Sequence, residues 1–411
     1  MNYSNNLIKN KLTDINISLL INYCLVAYAF CIPISSAGTN IFETLILVLW
    51  VIDGNWKYKF NQFRQNPIII FLTIFIIYSL LSVFWASDIL YGLDYVSKYR
   101  HFLIIFVMYT LLEMKYIQHI ISAFLLSMFI SEVMSYGIYF ELWTYKDVPV
   151  TFPTPFMNHV DYSVYLCFTI MILLNRIFFS PQRKNQILYF LFAATSTVNL
   201  FINGGRTGQL IFIITFFTIF ILNMKNKLIA IIVSILILAS LLLTAYNFSP
   251  NLQKRFQQVS HDISMVVNEK TFTSSLSTRI SLWIVGLDQI IDGEAFGTGI
   301  GNEQNNINYY KEKRDWKTMD NLDSYDHHNM FITYAIQLGP LGLLLFLAIL
   351  YSIYSLKFSH KHYRTITIIF LITFIMWSFG GSTFHLMKSM VFFTLFVGLL
   401  NKISYNQRRS S

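Results

Sequence analysis

The stretch SYDHHNMFITYAIQLGPLG, residues 324–342, begins with an acid and two histidines and then turns apolar. After His328 no Asp, Glu, Lys or Arg follows until Lys357. A helix needs about 20 mostly apolar residues to cross the hydrocarbon core of a bilayer, and this run is long enough. Titratable imidazoles therefore stand at the lip of a membrane segment. The rest of the chain agrees: its 411 residues are 55% hydrophobic and 12% charged, with a mean hydropathy of +0.52. Soluble domains carry roughly 25% charged residues, so a soluble multidomain protein would lack polar surface. The expected fold is an all-α polytopic membrane protein.

About twelve candidate spans follow: 17–35, 38–53, 66–85, 99–113, 116–138, 160–179, 187–204, 206–223, 227–247, 328–356, 365–384 and 387–403. Residues 1–247 thus hold the first nine, and 328–411 hold the last three with a tail. The first apolar run is longer than a signal-peptide core and has no clear cleavage site, so it is expected to stay as a span. Lys and Arg divide unevenly between the two sides. Lys57, Lys59, Arg64, Lys115, Arg183, Lys184, Lys225, Lys227, Lys357, Lys361 and Arg408 fall on the side of the N-terminus. The short segments opposite hold Lys98, Arg100, Lys146, Arg206 and Lys388. By the positive-inside rule both termini are cytoplasmic. The net charge of +9 is then a topology signal and does not point to nucleic acid.

One outer loop is long, residues 248–327, with eight Lys/Arg and eleven Asp/Glu. Its RISLWIVGLDQIIDG (279–293) has apolar residues at helical spacing, which predicts an amphipathic helix on the membrane face. EAFGTGIGNEQ (294–304) has no preceding strand and no following Lys-Ser/Thr, so it reads as a flexible turn near the site and not as a phosphate loop. The three cysteines lie in apolar runs, without disulfide or metal-ligand spacing, and neither a metal nor a cofactor is expected.

Ionisable groups within membrane spans are costly and mark function. Glu43, Arg100, Glu132, His159, Asp161, Arg206, His328 and His385 all fall toward the outer side, which points to a site facing the outer aqueous phase. In FINGGRTGQLIF (201–212) Arg206 opens a span directly after Gly204 and Gly205. It is either a snorkelling residue in a tight turn or a planar fork held for a phosphate. Arg279, in TFTSSLSTRISLW (271–283), is likewise either a helix-start residue or an anion ligand. The pair Asp326–His327 precedes His328 and can orient it or share its proton; a plain polar cap before a helix is the alternative.

Taken together, these motifs resemble those of the O-antigen ligase family. HNMFITYAIQLGPLG fits His-Asn, nine residues, Gly-x-x-Gly through His328, Asn329, Gly339 and Gly342, and RTGQL fits Arg-x-x-x-Leu through Arg206 and Leu210. Arg279 on the long loop matches a third feature. The resemblance implies an inner-membrane glycosyltransferase working at the periplasmic face, without metal or nucleotide sugar. It would move polysaccharide from an undecaprenyl-diphosphate-linked donor to a lipid A–core acceptor, both membrane-bound. In that reading His328 is the base, and Arg206 and Arg279 stabilise the leaving diphosphate. Lys98, Arg100, Asn329 and His327 are further substrate contacts. Polymerases and protein O-oligosaccharyltransferases share the resemblance, but no arginine here is followed, after ten residues, by the glycine that many polymerases show. A transporter would predict internal symmetry and midplane charges.

Overall fold

The computed structural model describes residues 16–248, 271–272, 274–293, 296–301, 318–319 and 327–410. Most of the 248–327 loop, Asp326 included, lies outside them. Helices dominate: α1 Ile17–Ile34, α2 Ser36–Asp53, α3 Trp56–Phe63, α4 Pro67–Ser82, α5 Ile89–Ser97, α6 Leu103–Leu111, α7 Met114–Tyr139, α8 His159–Phe179, α9 Arg183–Ile202, α10 Arg206–Asn223 and α11 Lys227–Phe248. After the loop come α12 Ser275–Ile291, α13 Met330–Gln337, α14 Gly339–Tyr354, α15 Lys361–Gly380 and α16 Met387–Ser410. A two-residue parallel pairing joins Thr271–Phe272 to Thr318–Met319. Helix starts carry the expected chemistry: the Asn16, Ser35, Asn66, Asp88 and Asn158 side chains accept backbone N–H groups, and Pro67 follows its cap.

Among the described residues, nine helices are long and apolar enough to cross a membrane, which bears out the polytopic all-α class. The other three expected spans differ in form. The fourth starts as a tight 3-10 turn, Lys98–Phe102, leaving α6 with nine residues. The ninth has its apolar part over Lys227–Leu243. The tenth is broken in two at Leu338–Gly339, where Gly339 has φ +64° and Pro340 stands in the first turn of the next helix.

Polar groups pin the two ends of the bundle. At one end Asn66 donates to Asn401 (2.8 Å) and Lys402 to the Tyr109 carbonyl (3.0 Å). At the other, Lys388 donates to the Ile32 carbonyl (2.7 Å). Helix α16 is buried almost throughout and α2 faces outward along most of its length, so the core is centred on α16 and α8. Around Phe384, at the corner before α16, stand the rings of Phe75, Phe102, Phe346, Phe374 and Phe393.

The break in the tenth span frees carbonyls that water cannot reach, and within a membrane each must find a partner in the protein. The glycine-rich stretch 296–301 supplies it. The N–H of Thr298 donates to Ile336 O and that of Gly299 to Gln337 O, both 2.9 Å, and the Tyr78 hydroxyl donates to Leu338 O at 3.0 Å. The N–H of Ile300 reaches Ser82 Oγ at 3.3 Å. The expected flexible turn is thus a strap packed between the break and the end of α4. Its glycines are explained by backbone contact: a Cβ on Gly297 would lie 2.4 Å from Gly339 N, and one on Gly299 would lie 2.6 Å from Ser82 O at φ +87°.

Gly299→Ala is expected to lower the thermal midpoint of detergent-solubilised protein well below that of Gly54→Ala. Both positions have positive φ, worth about 1–3 kcal/mol of strain, but a Cβ on Gly54 meets nothing within 4 Å. Equal midpoints would mean that the strap is not packed as described.

Candidate active site

Helix α12 is the amphipathic helix expected near 279–293, and it begins with a reciprocal cap between Ser274 and Ser277. Leu282, Val285 and Gln289 are buried along one face. Gly286 lies on this face and lets α12 approach α13 closely, since a Cβ there would come 2.4 Å from the Ile332 side chain and 2.9 Å from the His327 ring. The two helices are tied by His327 Nε2, 3.0 Å from Gln289 Oε1. Arg279, half-buried, lies seven residues before Gly286, or about two turns up the same face.

The two histidines have different surroundings. His327 is 1% exposed and turned into the α12 contact. His328 is half-buried and takes φ +49°, a left-handed conformation uncommon outside glycine. This turn of the chain lets two adjacent imidazoles face different surroundings. Asn329 then caps α13, its Oδ1 accepting from Phe331 N (3.0 Å) and Ile332 N (3.3 Å). His327 and Asn329, both expected to contact substrate, thus hold the contact with α12 and the start of α13.

Arg206 is exposed at the first position of α10. The turn before it needs Gly204 at φ +76°, and Gly205 and Gly208 permit contact with Ser163 of α8, whose Oγ accepts from Gly208 N at 3.1 Å. A helix N-terminus adds to the attraction of a guanidinium for an anion, because the helix dipole is positive there. Thr207 stands by Gly380 at the end of α15, while Phe331 of α13 stacks on Phe379 of α15 with ring centres 4.6 Å apart. The end of α15 thus lies between the Arg206 and His328 helices.

The 98–102 turn meets the same region through Tyr99, whose hydroxyl is 3.1 Å from that of Tyr334 on α13. Its basic residues already hold acids: Lys98 is 3.3 Å from Asp94, and Arg100 is 3.8 Å from Glu43. Buried Glu43 is also 2.5 Å from His101 Nδ1. This pair, Gln289, and the Tyr95–His385 ring contact (4.3 Å) were not foreseen as site features. Of them, only Glu43 and His385 gave a signal, as ionisable residues in apolar surroundings.

Residues 190–347 match the family model described as O-antigen ligase, which supports the membership suggested by His328, Asn329, Gly339 and Gly342. The matched segment contains Arg206, Arg279 and His328. The match supports the O-antigen ligase and polymerase family in general, with glycosyltransferase-like action on lipid-linked sugars and a lipid acceptor. No curated protein matches the chain.

Asn329→Ala should lower stability by about 1 kcal/mol, the usual value of an N-cap, and Asn329→Asp should keep most of it. Thermal unfolding of the two variants measures this; an Asp variant as unstable as the Ala variant would rule out the capping role.

Proposed function

We propose that this chain, of which residues 190–347 match the O-antigen ligase family model, transfers polysaccharide from undecaprenyl diphosphate to lipid A–core oligosaccharide at the outer face of the bacterial inner membrane. The donor is already activated by its diphosphate, so the chemistry needs charge stabilisation, a proton acceptor and two substrates held in line. Arg206 and Arg279 bind the diphosphate through charge-assisted, forked hydrogen bonds. Lys98 and Arg100 lie on the turn that packs against α13 and add positive charge once their acids let go.

His328 takes the proton from the attacking hydroxyl of the acceptor sugar. The new bond forms between that oxygen and the anomeric carbon as the bond to the diphosphate oxygen breaks, and the lipid diphosphate leaves with the electron pair. Attack from the face opposite the leaving group inverts the anomeric configuration. General-base help is worth about 10²–10⁴-fold, so positioning and the arginines supply the rest of the acceleration. No step calls for a metal or cofactor.

The observation that carries this reading is the contrast between the two adjacent histidines. Buried His327 anchors α12, whereas part-exposed His328 sits in a left-handed conformation of the kind that clusters at functional sites.

The lipopolysaccharide ladder of a deletion strain tests the assignment. A ligase leaves bare core while lipid-linked polymer accumulates; core capped by a single repeat identifies a polymerase, and a full ladder sinks both. Restoration with wild type should recover the ladder. His328→Ala at normal abundance should restore about 10²–10⁴-fold less, and Arg206→Ala or Arg279→Ala about 10²-fold less or lower still.

A further inference from the structure

A cavity of about 500 Å³ lies at the opposite end of the bundle, among α7, α8, α15 and α16. That end is marked by Asn66–Asn401 and Lys402–Tyr109, and it carries Lys115, Arg183, Lys184 and Lys361. The volume falls within the roughly 300–1,000 Å³ typical of small-molecule sites.

Its lining is graded along the bundle axis. Gln118 near the start of α7, Asn175 and Arg176 near the end of α8, and His362 at the start of α15 form a polar rim. One to two turns deeper the walls become apolar, with Ile172, Ile366, Phe396 and Leu399. The mouth opens sideways: Gln118 and Ser122 on α7 and Phe179 on α8 are exposed where lipid would lie. A polar head at the membrane surface and an apolar tail toward its middle is the layout of an amphiphile.

The rim favours an anion with a hydroxyl. Arg176 gives one N–H to Gln118 Oε1 (3.1 Å) and stands over the Tyr189 ring at 5.5 Å. Arg176 lines the cavity, and a guanidinium has five N–H donors, more than Gln118 and the Tyr189 hydroxyl take up. Asn175 is buried, and its Nδ2 donates to the His362 carbonyl (3.2 Å). Its Oδ1 is buried with no hydrogen-bond partner among the described residues, a costly state unless something else donates to it.

We propose that this cavity binds one anionic phospholipid, with Arg176 on the phosphate, Asn175 Oδ1 accepting from a headgroup hydroxyl and one acyl chain against Ile172 and Phe396. Basic pockets between spans at the cytoplasmic end of a membrane protein suit such headgroups. The site lies at the far end of the bundle from His328 and does not depend on the transfer reaction.

Native mass spectrometry and thermal unfolding of the full chain, delipidated in detergent and titrated with phosphatidylglycerol, phosphatidylcholine or glycerol phosphate, test the proposal. One phosphatidylglycerol should be retained per chain and raise the midpoint, with phosphatidylcholine and glycerol phosphate much weaker. Arg176→Gln should weaken retention about tenfold or more, the order expected for one lost charge-assisted contact. Ser122→Phe, which leaves the arginine in place and fills the mouth, should also weaken it and serves if Arg176→Gln does not fold. Equal binding of phosphatidylcholine would overturn the anionic assignment, glycerol phosphate binding as well as the lipid would make this a phosphate site, and no binding at all would refute both.

Discussion

The freed carbonyls of Ile336 and Gln337 are the constraint on which the site end depends. An unpaired backbone group in a membrane interior costs several kcal/mol, so a span broken in its upper part must be sealed by another segment. The strap at 296–301 does this with its own N–H groups, helped by Tyr78. Sealing the break fixes where the outer loop enters the bundle. It leaves α12, just before the strap, against α13, where Gly286 and Gln289 meet His327. The same N–H groups are thereby engaged, which is why this Gly-rich stretch is not a phosphate cradle.

The position of His328 follows from the break as well. A short α13 of eight residues, capped by Asn329 and stacked on α15 through Phe331, sets the histidine at the mouth of the bundle and not within it. The aromatic cluster around Phe384 links α13, α4, the Lys98–Phe102 turn, α14, α15 and α16. In lipid, where apolar surface alone does not drive helices together, such close packing and a few interhelical hydrogen bonds carry the association. Lys388, Asn66 and Lys402 supply those bonds at the two ends.

Much of this was legible in the residues. Apolar run length placed the helices, and the 3.6-residue period found α12. The cost of ionisable groups in lipid drew attention to Arg206 and His328. Gly339 and Gly342 stood out as a spacing pattern, but their role did not: Gly339 takes the positive φ of the break, and a Cβ on Gly342 would lie 2.0 Å from Leu338 Cβ. Hydropathy stays high across Gly339-Pro340, so one continuous span was expected where two helices exist. The packing of the strap was hidden for a related reason, since its partners Ser82 and Gln337 lie far away in sequence. Asn329 resembled a ligand because a cap and a ligand use the same polar side chain. The His-Asn motif set His328 apart from His327 in the sequence, but the left-handed backbone at His328, beside which the two rings have different surroundings, was not legible there.

The most direct test is reconstitution of the purified protein in vesicles with labelled undecaprenyl-diphosphate glycan and lipid A–core as the only substrates. The account predicts that label passes to lipid A–core with inverted anomeric configuration, and that the His328→Ala protein leaves it on the carrier. Label that stays on the carrier with the wild-type protein, or that appears there in lengthened chains, would contradict it.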